Sequence, residues 1–265
     1  MPGFRLTPLR AGLLLLCVVT GPMPGGAAGT LQAAWQAEFR HEQFEIHSEV
    51  AADKVLPAIH QLTQLKQSLE ETLKIDISDR PIDILVFSST SSYRAYVRPR
   101  VPEAVNRPAL FVKGPDTLWV YVVYRNGWET DLRHESTHAL LHASLPYLPL
   151  WLDEGLAEYF ELPAASQGLN TSYVNGIVWR SRLRQKLRTR ELEKLSSLSE
   201  MRPEHYRDSW AWVYFSLRYS AATLNCIRNY VQTIQREEVA GSYFERFEQQ
   251  FPQAQSQAQQ FLRSQ

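Results

Sequence analysis

The chain has 265 residues, of which 44% are hydrophobic and 21% are charged; this is ordinary for a folded protein and excludes a disordered one. Lysine plus arginine equals aspartate plus glutamate at 28 each, so no overall charge favours nucleic acid or an anionic membrane as a partner. A partner must therefore be inferred from local groups of residues.

The N-terminal segment 1–28 has the order of residues that is typical of a secretory signal peptide. Arg5 and Arg10 precede an apolar run over 11–19, and small residues follow. The run is about half of the roughly 20 residues that span a bilayer, so a cleaved signal is favoured over an anchor. We expect cleavage at the end of this segment, with 33–34 as the alternative. This predicts a periplasmic or extracellular protein without a stable membrane span.

The sequence contains two cysteines, Cys17 and Cys226. Leu16 is too large for the small residue that a lipoprotein signal has before its cysteine, so we do not favour lipidation of Cys17. Removal of the signal leaves Cys226 alone, which excludes an intrachain disulfide. We expect a buried and unreactive thiol at Cys226.

The next segments alternate between strand and helix patterns. Partial alternation over 38–48 predicts a first strand, and leucines at helical spacing predict a helix across 51–73. The apolar run 81–87 predicts a buried strand, and 89–97 predicts a loop that passes into a short helix.

A predicted hairpin comes before the most informative part of the chain. Residues 109–113 and 117–124 are rich in β-branched and aromatic side chains, and Gly-Pro-Asp at 114–116 provides the turn. Thr130 or Asp131 is expected to cap the helix that follows.

That helix carries the motif His-Glu-x-x-His at His134, Glu135 and His138. The two histidines lie about one turn, roughly 6 Å, apart on one face, so both imidazoles can reach one zinc ion. Glu135 is placed to accept a proton from a metal-bound water. The bare motif is moderately specific, because histidine and glutamate are ordinary on helix surfaces.

A second predicted helix supplies a candidate third ligand. Pro146 and Pro149 end the first helix and restart the chain, and Glu154 follows on a new amphipathic segment. Two histidines and one carboxylate leave the fourth position open for water, as in catalytic zinc sites. Glu158, one turn later, could accept the other N–H of a ligand histidine.

Together, His134-Glu-x-x-His138 and the segment Trp-Leu-Asp-Glu-Gly-Leu-Ala-Glu-Tyr over 151–159 resemble the gluzincin metallopeptidases, in particular their compact peptidase MA-like members. The resemblance is strong over about 109–162. It implies one zinc ion held by the two histidines and Glu154, with Glu135 as general base. It also implies an edge strand over 118–124 along which a peptide lies extended.

Two departures limit the resemblance. No glycine-rich aminopeptidase motif precedes the first helix, which puts an amino-terminal specificity in doubt. A metzincin would have a third histidine where Ser144 stands. His142 lies four residues after His138, and we expect it to support the site or the fold instead of binding the metal.

Gluzincins usually supply a downstream tyrosine or histidine that stabilises the oxyanion. Tyr206, shortly before Ser209, matches this pattern best, and Tyr214 and His205 are the alternatives. On the expected edge strand, Trp119 and Tyr121 could touch substrate.

The C-terminal part has mainly helical patterns and includes a basic stretch over 180–190. Because Trp179, Leu183 and Leu187 are spaced as a buried stripe through it, we interpret the stretch as a solvated helix face. A contact with an acidic substrate, a cell-wall polymer or lipid headgroups is the alternative. The glutamine-rich end, 249–260, is expected to be either a docked helix or a frayed tail.

The sequence thus predicts an α+β fold. A zincin-like part, 35–162, has a small sheet with its edge strand packed on the motif helix, and a helical part, 163–265, follows. The expected function is an exported zinc hydrolase that cleaves amide bonds of a peptide or protein substrate, with no role for nucleic acid. A non-catalytic zinc- or peptide-binding envelope protein is the alternative, although binding alone does not need Glu135. A structural protein without metal would leave the position of Glu154 unexplained.

Overall fold

The computed structural model describes residues 35–265, so the expected signal segment and Cys17 lie outside the described residues. Five strands form one sheet: Ala37–His41 (β1), Phe44–Ser48 (β2), Ile82–Phe87 (β3), Ala109–Lys113 (β4) and Leu118–Val123 (β5). Their order is β1-β2-β3-β5-β4, with β2, β3 and β5 parallel and an antiparallel strand at each side. Mostly helical chain follows the sheet, so the predicted α+β class is confirmed.

Ten α-helices lie in the described part of the chain. They are Ala52–Leu73 (α1), Thr90–Val97 (α2), Trp128–Ser144 (α3), Leu150–Phe160 (α4), Thr171–Arg182 (α5), Arg190–Glu193 (α6), Pro203–Arg218 (α7), Ala221–Gln235 (α8), Tyr243–Gln250 (α9) and Ala254–Arg263 (α10). Between residues 35 and 265, no helix has both the length and the apolar character needed to cross a membrane.

The segment predicted as one first strand is a hairpin of two strands. β1 and β2 pair antiparallel, and the chain reverses at Glu42, which has a left-handed φ of 53°. Phe39 and Phe44 are an odd number of residues apart, so they cannot share one face of a single strand. The turn brings both to the side of the main core.

The prediction that residues 118–124 form the edge strand is wrong. β5 lies between β3 and β4, and the edge on this side is β4. β5 is apolar on both faces, as expected of an internal strand. Val120 and Val122 face the main core, whereas Trp119 and Tyr121 belong to a smaller core on the opposite face. Trp119 and Tyr121 therefore face away from α3, and the structure does not place them beside the candidate metal ligands.

α3 packs across β4 and β5 and begins earlier than predicted. It starts at Trp128, after Gly127 with a left-handed φ of 77°, so Thr130 and Asp131 lie in its first turn and do not cap it. Asp131 instead forms an ion pair with Arg125 at 2.6 Å.

α4 and α7 cross in close contact, and this crossing joins the two halves of the chain. A Cβ on Gly155 would lie 2.7 Å from the backbone oxygen of Ser209, so only glycine permits this approach. One hydrophobic core extends from Phe44 to Leu262. The boundary at 162 is therefore a change in secondary structure within a shared core.

The predicted buried stripe in the basic stretch is wrong for two of its three residues. α5 ends at Arg182, and Arg184 has a left-handed φ of 59°, so the helical spacing stops there. Leu187 is buried, but Trp179 and Leu183 are exposed. The glutamine-rich end is a docked helix, α10, which buries Ala258 and Leu262.

Candidate metal centre

The predicted site residues lie where α3 and α4 pack together beneath β4. The chain between the two helices is short, and Pro149 precedes the first residue of α4. His134, Glu135, His138 and Glu154 are each at most 4% exposed. Because burial of polar groups costs free energy unless they find partners, this cluster needs an explanation.

Three of these side chains converge on one point. His134 Nε2 lies 3.2 Å from His138 Nε2 and 3.7 Å from Glu154 Oε2. A tetrahedral zinc ion with bonds of about 2.0–2.1 Å separates its ligand atoms by about 3.3 Å. The three residues are thus a buried group with the spacing needed to hold one metal ion.

Glu154 is the strongest sign that a cation belongs here. Both of its carboxylate oxygens are buried, and neither has a hydrogen-bond partner among residues 35–265. A buried carboxylate without hydrogen bonds is costly unless a positive charge lies next to it, and His134 Nε2 at 3.7 Å supplies one only when its ring is protonated. A metal ion next to the two imidazoles removes this cost.

Two further carboxylates fix the orientation of the imidazole rings. His138 Nδ1 donates to Asp153 Oδ1 at 2.8 Å, and His134 Nδ1 donates to Glu161 Oε2 at 2.9 Å. With both Nδ1 atoms donating, the lone pairs of both Nε2 atoms point toward the same space. Carboxylate partners of this kind hold metal-binding histidines in the correct tautomer.

The local electrostatics also favour a positive charge at this point. Burial opposes protonation of His134, but the carboxylates of Glu154 and Glu161 outweigh it and raise the pKa of His134 well above its ordinary value. A proton and a metal ion therefore compete for the same position between the imidazoles.

The expected role of Glu158 as a histidine partner is wrong, because Asp153 and Glu161 occupy that role. Glu158 Oε1 instead accepts a hydrogen bond from Tyr173 Oη at 3.0 Å. Burial, together with the charge of Glu161, raises the pKa of Glu158 well above its ordinary value. His134, Glu158 and Glu161 form a second group with metal-ligand spacing. We favour the group with Glu154, because Glu161 already accepts a hydrogen bond from His134 whereas neither oxygen of Glu154 accepts one within residues 35–265.

His142 supports the site without joining the ligand group. Its Nε2 donates to Asp153 Oδ2 at 2.9 Å, and its ring stacks on Phe111 of β4 with 5.6 Å between centroids. Burial alone would raise the pKa of Asp153, but His138 and His142 outweigh it and hold that pKa far below its ordinary value. Asp153 thus remains an anion between two histidines.

Glu135 and Tyr206 carry buried polar atoms next to the ligand group. Glu135 Oε2 and Tyr206 Oη both lack hydrogen-bond partners within the described part of the chain. Burial raises the pKa of Glu135 despite the opposing charges of His134 and His138. Burial and the charge of Glu154 raise the pKa of Tyr206, so its hydroxyl remains a proton donor.

The two alternatives to Tyr206 are engaged elsewhere. Tyr214 Oη donates to Gln265 Oε1 at 2.9 Å, on the side of α7 that faces α10. His205 Nδ1 accepts from the backbone N–H of Arg202 at 3.2 Å and caps the start of α7.

Arg107 is a site residue that the sequence did not indicate. It precedes β4 and continues the face that carries Ala109 and Phe111, which packs on α3. Its Nη1 is buried without a partner among the described residues. Burial lowers the pKa of Arg107, whereas the charges of Glu135 and Glu154 act against this. A single arginine in a loop gives no pattern that sequence reasoning could detect.

Asp153 and Glu161 were also missed, although their sequence positions carry a weak signal. Asp153 directly precedes Glu154. Glu161 lies seven residues beyond Glu154, which is about two helical turns and brings it to a similar side of the helix.

Comparisons with protein-family models and with curated proteins gave no match for this chain.

Proposed function

We propose that this protein is an exported zinc-dependent hydrolase that cleaves amide bonds in peptides. The observation that carries the proposal is the buried Glu154, which has no hydrogen-bond partner among residues 35–265 and faces two imidazoles whose lone pairs converge. His134, His138 and Glu154 would hold the ion. When bound, Zn²⁺ polarises a substrate carbonyl and lowers the pKa of a water molecule.

Glu135 provides the proton acceptor for this chemistry. It follows the first ligand on α3, and its buried Oε2 has no competing partner among residues 35–265. Burial moves its pKa upward, which makes it a better base near neutral pH. Glu135 takes the proton of the attacking water and passes it to the leaving amine.

Tyr206 and Arg107 are suited to stabilise the negative charge that develops on the carbonyl oxygen. Tyr206 Oη remains protonated, and Arg107 Nη1 carries a donor, and both are buried without partners in the described chain. Donors fixed in a dry site stabilise such charge more strongly than water does.

β4 offers the surface along which an extended peptide can lie. Within 35–265 it pairs with β5 on one side and is the last strand of the sheet on the other. It runs beside α3, and Phe111 contacts the rings of His138 and His142. A peptide that adds to this edge would place successive carbonyl groups near the ligand group.

Substitution of Glu135 by Gln tests the proposal most directly. Glu135→Gln should retain zinc, measured by elemental analysis, and lose hydrolysis of a mixed peptide library. His134→Ala should lose the zinc. Unchanged hydrolysis by Glu135→Gln would contradict the assigned base, and full zinc occupancy in His134→Ala would contradict the ligand assignment. If the wild-type protein holds zinc and binds peptides without cleaving any, the protein is a binding module instead.

A further inference from the structure

Trp179 and Leu183 form an exposed apolar pair at the end of α5. Their exposed fractions are 62% and 54%. The sequence has seven tryptophans, all within the described residues, and Trp179 is the one that is exposed. Trp179 lies in the last turn of α5 and Leu183 directly follows the helix, so both exposed side chains are at its C-terminal end. Exposed apolar side chains with polar residues around them are a feature of contact surfaces.

Three exposed cations lie close to this apolar pair in the chain. Arg182, Arg184 and Lys186 are exposed, and none of them forms an ion pair with another described residue. The residues over 162–190 include no acid at all. By contrast, Arg188 at the far end of the stretch pairs with buried Asp208 at 2.8 Å. We call Trp179, Arg182, Leu183, Arg184 and Lys186 the basic–apolar patch.

The backbone of the patch is held in place by its neighbours. The N–H of Gln185 donates to the carbonyl of Arg180 at 3.2 Å, which keeps the basic segment against the end of α5. Side chains of α10 support the same segment, since Gln259 donates to the carbonyl of Gln185 at 2.8 Å and Gln255 to that of Leu187 at 3.1 Å. The patch is thus presented in one arrangement.

We propose that the basic–apolar patch docks this protein on the surface of an anionic phospholipid bilayer. In that arrangement Trp179 and Leu183 enter the headgroup region, and the three cations lie next to lipid phosphates. Tryptophan favours this region because its ring is apolar and its N–H is polar. A soluble polyanion needs the cations but gives exposed Leu183 no apolar environment, so the combination favours a bilayer.

Docking of this kind is reversible and depends on salt. Each cation near an anionic surface adds to the attraction, and ions screen it beyond about 8 Å at physiological ionic strength. The patch does not include the metal ligands, so the proposal is independent of the proposed hydrolysis.

Vesicle sedimentation tests the proposal with the full chain. We expect binding to vesicles of phosphatidylcholine with phosphatidylglycerol, and at least tenfold weaker binding to phosphatidylcholine alone or at high salt. Trp179→Ala with Leu183→Ala should weaken binding at least tenfold, as should Arg182→Gln with Arg184→Gln and Lys186→Gln. Addition of anionic vesicles should also shift the tryptophan emission of the wild-type protein to the blue, and Trp179→Phe should abolish this shift.

Matched controls distinguish the effect of the patch from the effect of removing exposed cations or exposed apolar side chains elsewhere on the protein. Lys54→Gln with Lys74→Gln and Arg98→Gln removes three exposed cations elsewhere, and Val239→Ser removes a side chain that is 90% exposed. Both controls should bind vesicles like the wild type. The proposal is overturned if the wild type does not bind anionic vesicles, or if either control loses as much binding as the patch variants. It is also overturned if the Trp179→Ala, Leu183→Ala variant binds soluble polyphosphate as tightly as the wild type binds anionic vesicles. Metal-free His134→Ala should retain binding, so failure of the hydrolase proposal is distinguishable.

Discussion

His138 and Asp153 are joined by a buried hydrogen bond of 2.8 Å from the ring Nδ1 to Oδ1. This bond presents Nε2 of His138 toward His134 and Glu154, where the metal would lie. Because the other oxygen of Asp153 holds His142, one carboxylate orients two rings on α3 from the first turn of α4. Asp153, the residue before the candidate ligand Glu154, thus helps to define the geometry of the candidate ligands.

Asp153→Asn should weaken zinc binding about 10–100-fold, because the neutral amide holds the His138 ring less firmly and no longer raises its basicity. The affinity can be measured by competition with a chromophoric chelator. Glu161→Gln should act similarly through His134. Asp79→Asn, which removes an exposed acid paired with Lys66 at 2.6 Å, should leave zinc affinity unchanged. Wild-type affinity in Asp153→Asn would contradict the assigned role.

Gly155→Ala should lower the free energy of unfolding by about 1–3 kcal/mol, because its methyl group would overlap the backbone of Ser209 in α7. Gly176→Ala is the matched control, since its Cβ would meet only the flexible Arg207 side chain, with Cδ at 3.6 Å and Nη1 at 3.9 Å. That variant should be unchanged or more stable by up to about 1 kcal/mol. Chemical denaturation measures both. Equal stability of the two variants would show that α4 and α7 do not approach closely.

Tyr206→Phe should reduce kcat about 10²-fold or more while zinc content stays the same, because one donor to the developing charge is lost. Tyr214→Phe removes a hydroxyl that bonds to Gln265 and should leave kcat near the wild-type value. If the protein cleaves peptides as proposed, steady-state kinetics on any such peptide will separate the two variants. A larger loss in Tyr214→Phe would reassign the oxyanion donor.

Cys226 should react slowly with iodoacetamide in the folded protein. Burial raises the pKa of its thiol, and the opposing charge of Arg246 does not outweigh this. Since a raised pKa leaves less thiolate at any pH below it, alkylation at about pH 8 should be slower than that of a free thiol. A Cys17→Ser background leaves one thiol to follow, and denaturant should restore the ordinary rate. A fast reaction in the folded state would contradict the partial burial of the thiol.

The candidate metal ligands were predictable because the required information is local. His134 and His138 lie one turn apart on any helix, and proline residues around 146–149 force a new helix that begins just before Glu154. The hairpin of β4 and β5 also follows from short-range turn chemistry. These features need only the neighbours in sequence to form.

Other features depend on which elements meet, and no local pattern contains that information. Sequence periodicity could not show that β4 and not β5 lies at the edge, because both strands are apolar. Sequence periodicity predicted that Glu158 accepts a hydrogen bond from a histidine. The crossing of α3 and α4 instead brings Asp153 to the ring of His138 and Glu161 to the ring of His134. The approach of Arg107 to Glu135 depends likewise on how β4 packs on α3.

Local sequence was enough to identify His134, His138 and Glu154 as candidate metal ligands and to place them on two helices, since helix periodicity acts over a few residues. The tertiary structure decided which carboxylates orient His134 and His138, and which groups face Glu135. It also decided that Trp179 is exposed, because α5 buries the face that carries Val174, Ile177 and Ser181 and leaves Trp179 outside it. Such contacts join residues far apart in the chain, and they are fixed by packing of whole elements, such as the close approach at Gly155.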